Sequence, residues 1–126
     1  MNEEARRYLD RADRALEAAE TLTRAGFSPE AASRTYYAMF YAAQALLKSA
    51  GIDVTKHSAV ESEFGYRFAK TGKIAPKYHK MLINARKIRE QADYDIFDEV
   101  VEPVASLEVQ EGREFVAAIK ALLGQI

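Results

Sequence analysis

The stretch Ser33-Arg34-Thr35-Tyr36-Tyr37-Ala38-Met39-Phe40-Tyr41-Ala42-Ala43-Gln44-Ala45-Leu46-Leu47 decides the fold. At about 100° per residue, Tyr36, Phe40, Ala43 and Leu47 fall on one apolar stripe, which Met39 and Leu46 widen. The opposite side carries Arg34, Tyr37, Ala38, Tyr41, Ala45 and Lys48. Arg34 and Tyr41 stand two turns apart on nearly the same line, with roughly 10 Å between their backbones. The segment reads as a buried helix with two sides. An arginine, two phenols and small alanines suit either a close-packed partner helix or a polar site.

Helical spacing continues on both flanks. Ala5, Tyr8, Leu9, Ala12, Ala15, Leu16, Ala19 and Leu22 predict a first helix from about Glu3 to Ala25, with Glu3 and Glu4 at the positive end of its dipole and Gly26 as its stop. Ser28-Pro29-Glu30 reads as an N-cap and first turn for the central helix, which Gly51 ends. The short link makes these two helices antiparallel neighbours. A third helix, from His57 or Ser58 to Lys70, carries Val60, Phe64 and Phe68. Pro76 opens a fourth, reaching Ala92, with Tyr78, Met81, Leu82, Ala85, Ile88 and Ala92 inside and Lys77, Lys80, Arg86, Lys87 and Arg89 outside. Ile96 to Pro103 reads as an irregular crossing. Ser106 is the predicted N-cap of a last helix that ends near Gly124 and buries Phe115, Ile119, Leu122 and Leu123. Gly112 within it costs ~1 kcal/mol relative to alanine and is explained by a close helix crossing. No stretch alternates as a strand would. The expectation is an all-α antiparallel bundle of about five helices, a single domain over residues 1–126.

Composition narrows the function classes. A formal net charge of −1 carries no global basic excess, so nucleic-acid contact would need a local patch. The absence of cysteine removes disulfides, thiolate catalysis and cysteine metal sites, and two histidines give a transition-metal site little support. No metal and no cofactor are expected. The polar opening Met1–Arg7 has no apolar signal core, and no run approaches the ~20 apolar residues of a membrane span. The expected setting is soluble and cytoplasmic.

Four segments then carry a resemblance: Ser33–Ala43, Lys56-His57-Ser58-Ala59-Val60, Phe68-Ala69-Lys70-Thr71-Gly72-Lys73, and Arg89-Glu90-Gln91-Ala92-Asp93-Tyr94-Asp95. In this order and spacing the chain resembles the HEPN family, and more narrowly an uncharacterised prokaryotic subfamily of it. The resemblance implies an antiparallel bundle, often a homodimer, and a partnership with a minimal nucleotidyltransferase in a toxin–antitoxin pair, with RNA or a nucleotide as the associated ligand. Some members are metal-independent ribonucleases that use an arginine and a histidine further along one helix. Here Arg34 is followed, with six residues between, by Tyr41 where similar proteins often carry histidine. A phenol titrates near ~10 against ~6.5 for imidazole, so it is a poor neutral-pH base.

The expected function is therefore an interaction module. Its rivals are a ribonuclease using Arg34 with Tyr41 or His57, and a dimeric scaffold without a ligand. Arg34 has two open roles: a bidentate phosphate clamp, or a structural arginine paired with Asp93 or Asp95. His57 is either the replacement base or a helix-start and dimer-contact residue. His79 is expected on the surface. Tyr36 belongs to the core, while Tyr37 and Tyr41 are candidates for base stacking. Arg89, Asp93 and Asp95 form the last candidate group, as ligand contacts or as a helix-end salt-bridge cluster. The alanine-rich first helix and the small side of the central helix predict a two-fold homodimer.

Overall fold

A computed structural model describes residues 1–124. Five α-helices follow one another, α1 (Glu3–Arg24), α2 (Ser28–Ser49), α3 (His57–Phe64), α4 (Lys77–Tyr94) and α5 (Glu102–Leu122), with a π-helical turn (Gly65–Ala69) continuing α3. The described residues contain no strand. The all-α bundle expected from periodicity is the fold observed.

α2 is the axis. It packs against α1, α3, α4 and α5, and its apolar stripe of Tyr36, Met39, Phe40, Ala43, Leu46 and Leu47 is buried. Its small side is buried as well: Ala38, Ala42 and Ala45 are at 0% exposure. Ala5, Ala12 and Ala19 of α1 are likewise at 0%, so the two alanine-rich helices meet inside one chain. The small residues that predicted a dimer are thus consumed within the bundle.

Local signals set most helix ends. Asn2 caps α1 by accepting from the Ala5 N–H at 2.8 Å, and its side-chain amide donates to the Lys48 carbonyl at 3.1 Å, tying α1 to the last turn of α2. Gly26 and Gly51 end α1 and α2 in left-handed backbone, and Phe27 and Ile52 donate back to Leu22 and Leu47.

Two predicted caps are corrected. Phe27, not Ser28, precedes the first turn of α2, because its carbonyl already accepts from Ala31 at 2.9 Å; no side chain caps this end. α5 begins at Glu102, with Val101 as its cap, because Pro103 has the fixed φ of a first-turn residue. Ser106 lies inside that helix and donates to Glu102 at 2.7 Å.

The third helix is corrected too. It does not run unbroken to Lys70 but widens into the π-turn, where Lys70 donates to the Gly65 carbonyl at 2.8 Å. A Cβ on Gly65 would stand 2.4 Å from His79 Cε1, so only glycine admits this ring. His79 is accordingly half-buried, with its Nε2 3.1 Å from the Glu61 carbonyl, and is not the surface histidine expected. Gly112 lies where a close crossing requires it, facing Thr35 of α2 and Leu16 of α1.

Candidate functional site

Because α2 is surrounded, its polar residues emerge only along its margins with α1 and α4. Arg34, Tyr37 and Tyr41 lie there half-buried. Tyr37 is the hub. The Arg34 guanidinium sits 5.1 Å from its ring centroid and that of Arg89 5.8 Å, while the rings of Tyr36, Tyr41 and His57 lie at 5.2, 6.0 and 5.8 Å. Most of the sequence-predicted residues are therefore brought together, but not in the pairings expected.

Arg34 makes no ion pair among the described residues. The partners predicted for it are engaged elsewhere. Asp93 pairs with Arg89 Nη1 at 3.1 Å, one turn away on α4. Asp95 accepts from the Phe97 and Asp98 amides at 3.0 and 2.9 Å, which holds its carboxyl below the usual range and makes it a turn residue outside the site. Arg34 instead faces two adjoining hollows. One, of about 540 Å³, is lined with Asp10, Arg11, Arg14 and Tyr41; the other, of about 340 Å³, with Leu22, Glu30 and Asp93.

His57 reaches the same neighbourhood from the start of α3, yet it does not join Arg34. Its ring lies 4.3 Å from that of Phe40, and its Nδ1 shares a 3.1 Å hydrogen bond with Tyr36 Oη. Burial and then the Arg89 charge push the imidazole pKa below its ordinary value, favouring the neutral ring. Burial dominates at Tyr36 as well and raises its phenol to about 12, against the opposing pull of Arg89. Both shifts favour the uncharged form.

Arg89 and Arg86 are not on the outer face predicted for them. Arg89 lies across the Tyr36 ring at 5.1 Å, and its Nε is buried without a hydrogen-bond partner. Arg86 holds Glu61 at 2.8 Å and Glu90 at 3.1 Å. Lys77, as expected, is exposed, and it pairs with Glu114 at 2.7 Å.

Sequence reasoning missed Arg11 and Arg14. Arg11 lies 5.8 Å from the Tyr41 ring centroid, and neither arginine forms an ion pair among the described residues. Arg11 and Tyr41 also line a third hollow, with Tyr8, Gln44 and His57, so the clefts join along the α1–α2 seam. The signal was present: Arg7, Arg11 and Arg14 recur at helical spacing beside the apolar stripe of α1. The arrangement sets guanidinium groups that form no ion pair among the described residues beside aromatic faces. Among the described residues, no three His, Asp or Glu side chains converge as a metal would require.

The model of the HEPN domain matches residues 5–125, and the chain belongs to that family. A Methanocaldococcus jannaschii protein named "Putative toxin" is 33% identical over 120 residues, covering 95% of this chain and 82% of its own length. A second protein of that organism with the same designation is 32% identical over 126 residues, covering 100% and 93%. A Gloeobacter violaceus member of the UPF0332 proteins is 36% identical over 94 residues, covering 75% of each chain. Among the described residues, no helix is long and apolar enough to cross a membrane.

Proposed function

We propose that this HEPN protein is one member of a toxin–antitoxin-like pair and holds RNA or nucleotide phosphate in the groove headed by Arg34. The observation that carries this is the groove's charge. Arg34, Arg11 and Arg14 line it without an ion pair among the described residues, and Asp10 is the carboxylate beside them. A guanidinium not already neutralised retains its full attraction for phosphate, and its planar fork suits bidentate contact. Tyr37 and Tyr41 add stacking faces for bases.

The names of the relatives support the toxin side of the reading. In this reading the other member of the pair is a minimal nucleotidyltransferase, as the family resemblance implies. Binding is favoured over cleavage because His57 is engaged by the Tyr36 hydroxyl and packs against the Phe40 ring.

Fluorescence anisotropy with a labelled single-stranded RNA tests the reading. Arg34→Ala should weaken binding at least about tenfold, leave the helical circular dichroism intact, and lower the slope of log affinity against log salt by about 0.7, one phosphate contact on a single strand. Unchanged affinity and slope would remove Arg34 from the site. Loss of helicity would make it a structural residue instead.

A further inference from the structure

Gln44 stands on α2 one turn beyond Phe40, 1% exposed, and its Oε1 is buried without a hydrogen-bond partner among the described residues. An amide oxygen buried unpaired has given up its hydrogen bonds to water and gained none in return. An apolar side chain of the same length would pack there at less cost, so the amide asks for a reason outside packing. Gln44 also lines a cleft of about 440 Å³. Rings from three elements wall it: Tyr8 from α1, Phe40 and Tyr41 from α2, and His57 from α3. The Tyr41 ring centroid lies 6.3 Å from that of Tyr8 and 6.0 Å from that of Phe40.

The charge of this cleft differs from that of the groove beside it. Its Arg7 is held by Glu3 at 3.1 Å, Glu4 adds a carboxylate, and burial favours the neutral form of His57. Arg11 is its cation without an ion pair among the described residues, and Arg11 and Tyr41 also line the hollow of Arg34. A flat, uncharged, aromatic ligand suits such walls, and a phosphate suits the hollow next to it. The amide supplies selectivity. Its terminal torsion is soft and two-fold, so a half-turn exchanges oxygen and nitrogen at the cleft. A carboxamide sets an acceptor beside a donor, the complement of adenine's amino donor beside a ring-nitrogen acceptor.

We infer that this cleft holds an unpaired adenine of RNA, read by the Gln44 amide and stacked among the surrounding rings, with the phosphate of that nucleotide lying toward Arg11 and Arg34. The inference rests on the phosphate groove proposed above and adds a base preference to it. Gln44 is then the residue that sets specificity, while the arginines bind any sequence alike. Tyr36 engages Nδ1 of His57, so Nε2 is the ring nitrogen left to meet the base.

Three labelled single-stranded oligoribonucleotides of equal length test it by fluorescence anisotropy on the full chain. One carries adenosine, one purine riboside, which keeps the ring but lacks the amino group, and one uridine. The native protein should bind the adenosine oligomer at least about tenfold more tightly than either of the others. Gln44→Met, an apolar side chain of similar length, should bring the adenosine oligomer down to the purine affinity and leave the purine affinity unchanged. Its Tm should be unchanged or higher, because it removes an unpaired buried amide. If that variant fails to fold, adenosine against purine riboside on the native protein still decides. Arg34→Ala should weaken all three oligomers by the same factor. Equal native affinity for adenosine and purine riboside would overturn the base cleft; the phosphate groove stands without it if Arg34→Ala still weakens binding. Binding to none of the oligomers would remove both. An adenine preference that survives Gln44→Met would put the base elsewhere and overturn the inference. Displacement of the adenosine oligomer by adenosine monophosphate at equal concentration would make a free nucleotide the ligand and overturn the assignment to RNA.

Discussion

Gly112→Ala sets two effects of known sign against each other. Helix propensity favours alanine over glycine in a helix interior by about 1 kcal/mol. The added Cβ, however, would stand 2.9 Å from Thr35 Cγ2 and 3.1 Å from Leu16 Cδ2. Carbon atoms pack best at about 3.5–4.0 Å, so the first contact is about half an ångström too short. Thr35 cannot swing away cheaply. It is at 0% exposure, its β-branched side chain is stiff, and its hydroxyl donates to the Ala31 carbonyl at 3.0 Å. Overpacking of this kind costs about 1–3 kcal/mol, which outweighs the propensity gain. We expect a net loss of about 1 kcal/mol and a Tm lower by roughly 3–5 °C for a domain of this size. Urea denaturation followed by circular dichroism measures it. A second variant isolates the cause: Thr35→Ser removes the clashing methyl and keeps the hydroxyl. Alone it should cost about 1 kcal/mol for the lost burial, but in the Gly112→Ala background it should cost nothing, a coupling of about 1 kcal/mol. A Gly112→Ala protein as stable as the native one would refute the crossing argument.

Two further perturbations address charge and chemistry. Glu108 is 2% exposed on α5, and burial, then Glu111, push its carboxyl from 4.5 up to about 7 against the opposing hydrogen bond from Asn84. The folded protein then binds the proton more tightly than the unfolded chain, so this group's contribution is complete below 4.5 and is lost as pH rises through 7. Glu108→Gln should therefore exceed the native protein by about 2 kcal/mol near pH 8, a gain that shrinks toward about pH 5; a constant difference would contradict the shift. For the groove, the native chain should cleave RNA poorly in the presence of a chelator. Tyr41→His, which puts an imidazole in the hollow shared with Arg11 and Arg34, should raise cleavage about a hundredfold if general-base chemistry is what the position lacks. Strong native cleavage that survives both Arg34→Ala and His57→Ala would place the active groups elsewhere.

What the chain's residues determined alone is what neighbours within about four positions can determine. The helical period of α2, the stops at Gly26 and Gly51 and the small residue at Gly112 were all legible, because each depends on interactions within one turn or on side-chain volume. Even there, Pro29 and Pro103 marked the starts of α2 and α5 more faithfully than Ser28 and Ser106, since proline acts through its own φ whereas serine caps only when placed before the first turn. The sequence also nominated Arg34, Tyr37, Tyr41, His57 and Arg89, which gather around one ring. Only the tertiary structure decided who pairs with whom. Tyr36 and His57 are 21 residues apart, Glu61 and Arg86 are 25 apart, and the arginines of α1 meet Arg34 only because two alanine faces bring their helices together. No local rule reaches across such distances. Charge complementarity leaves several carboxylates equally eligible for one guanidinium, and the packing of α1 and α4 against α2 selects among them.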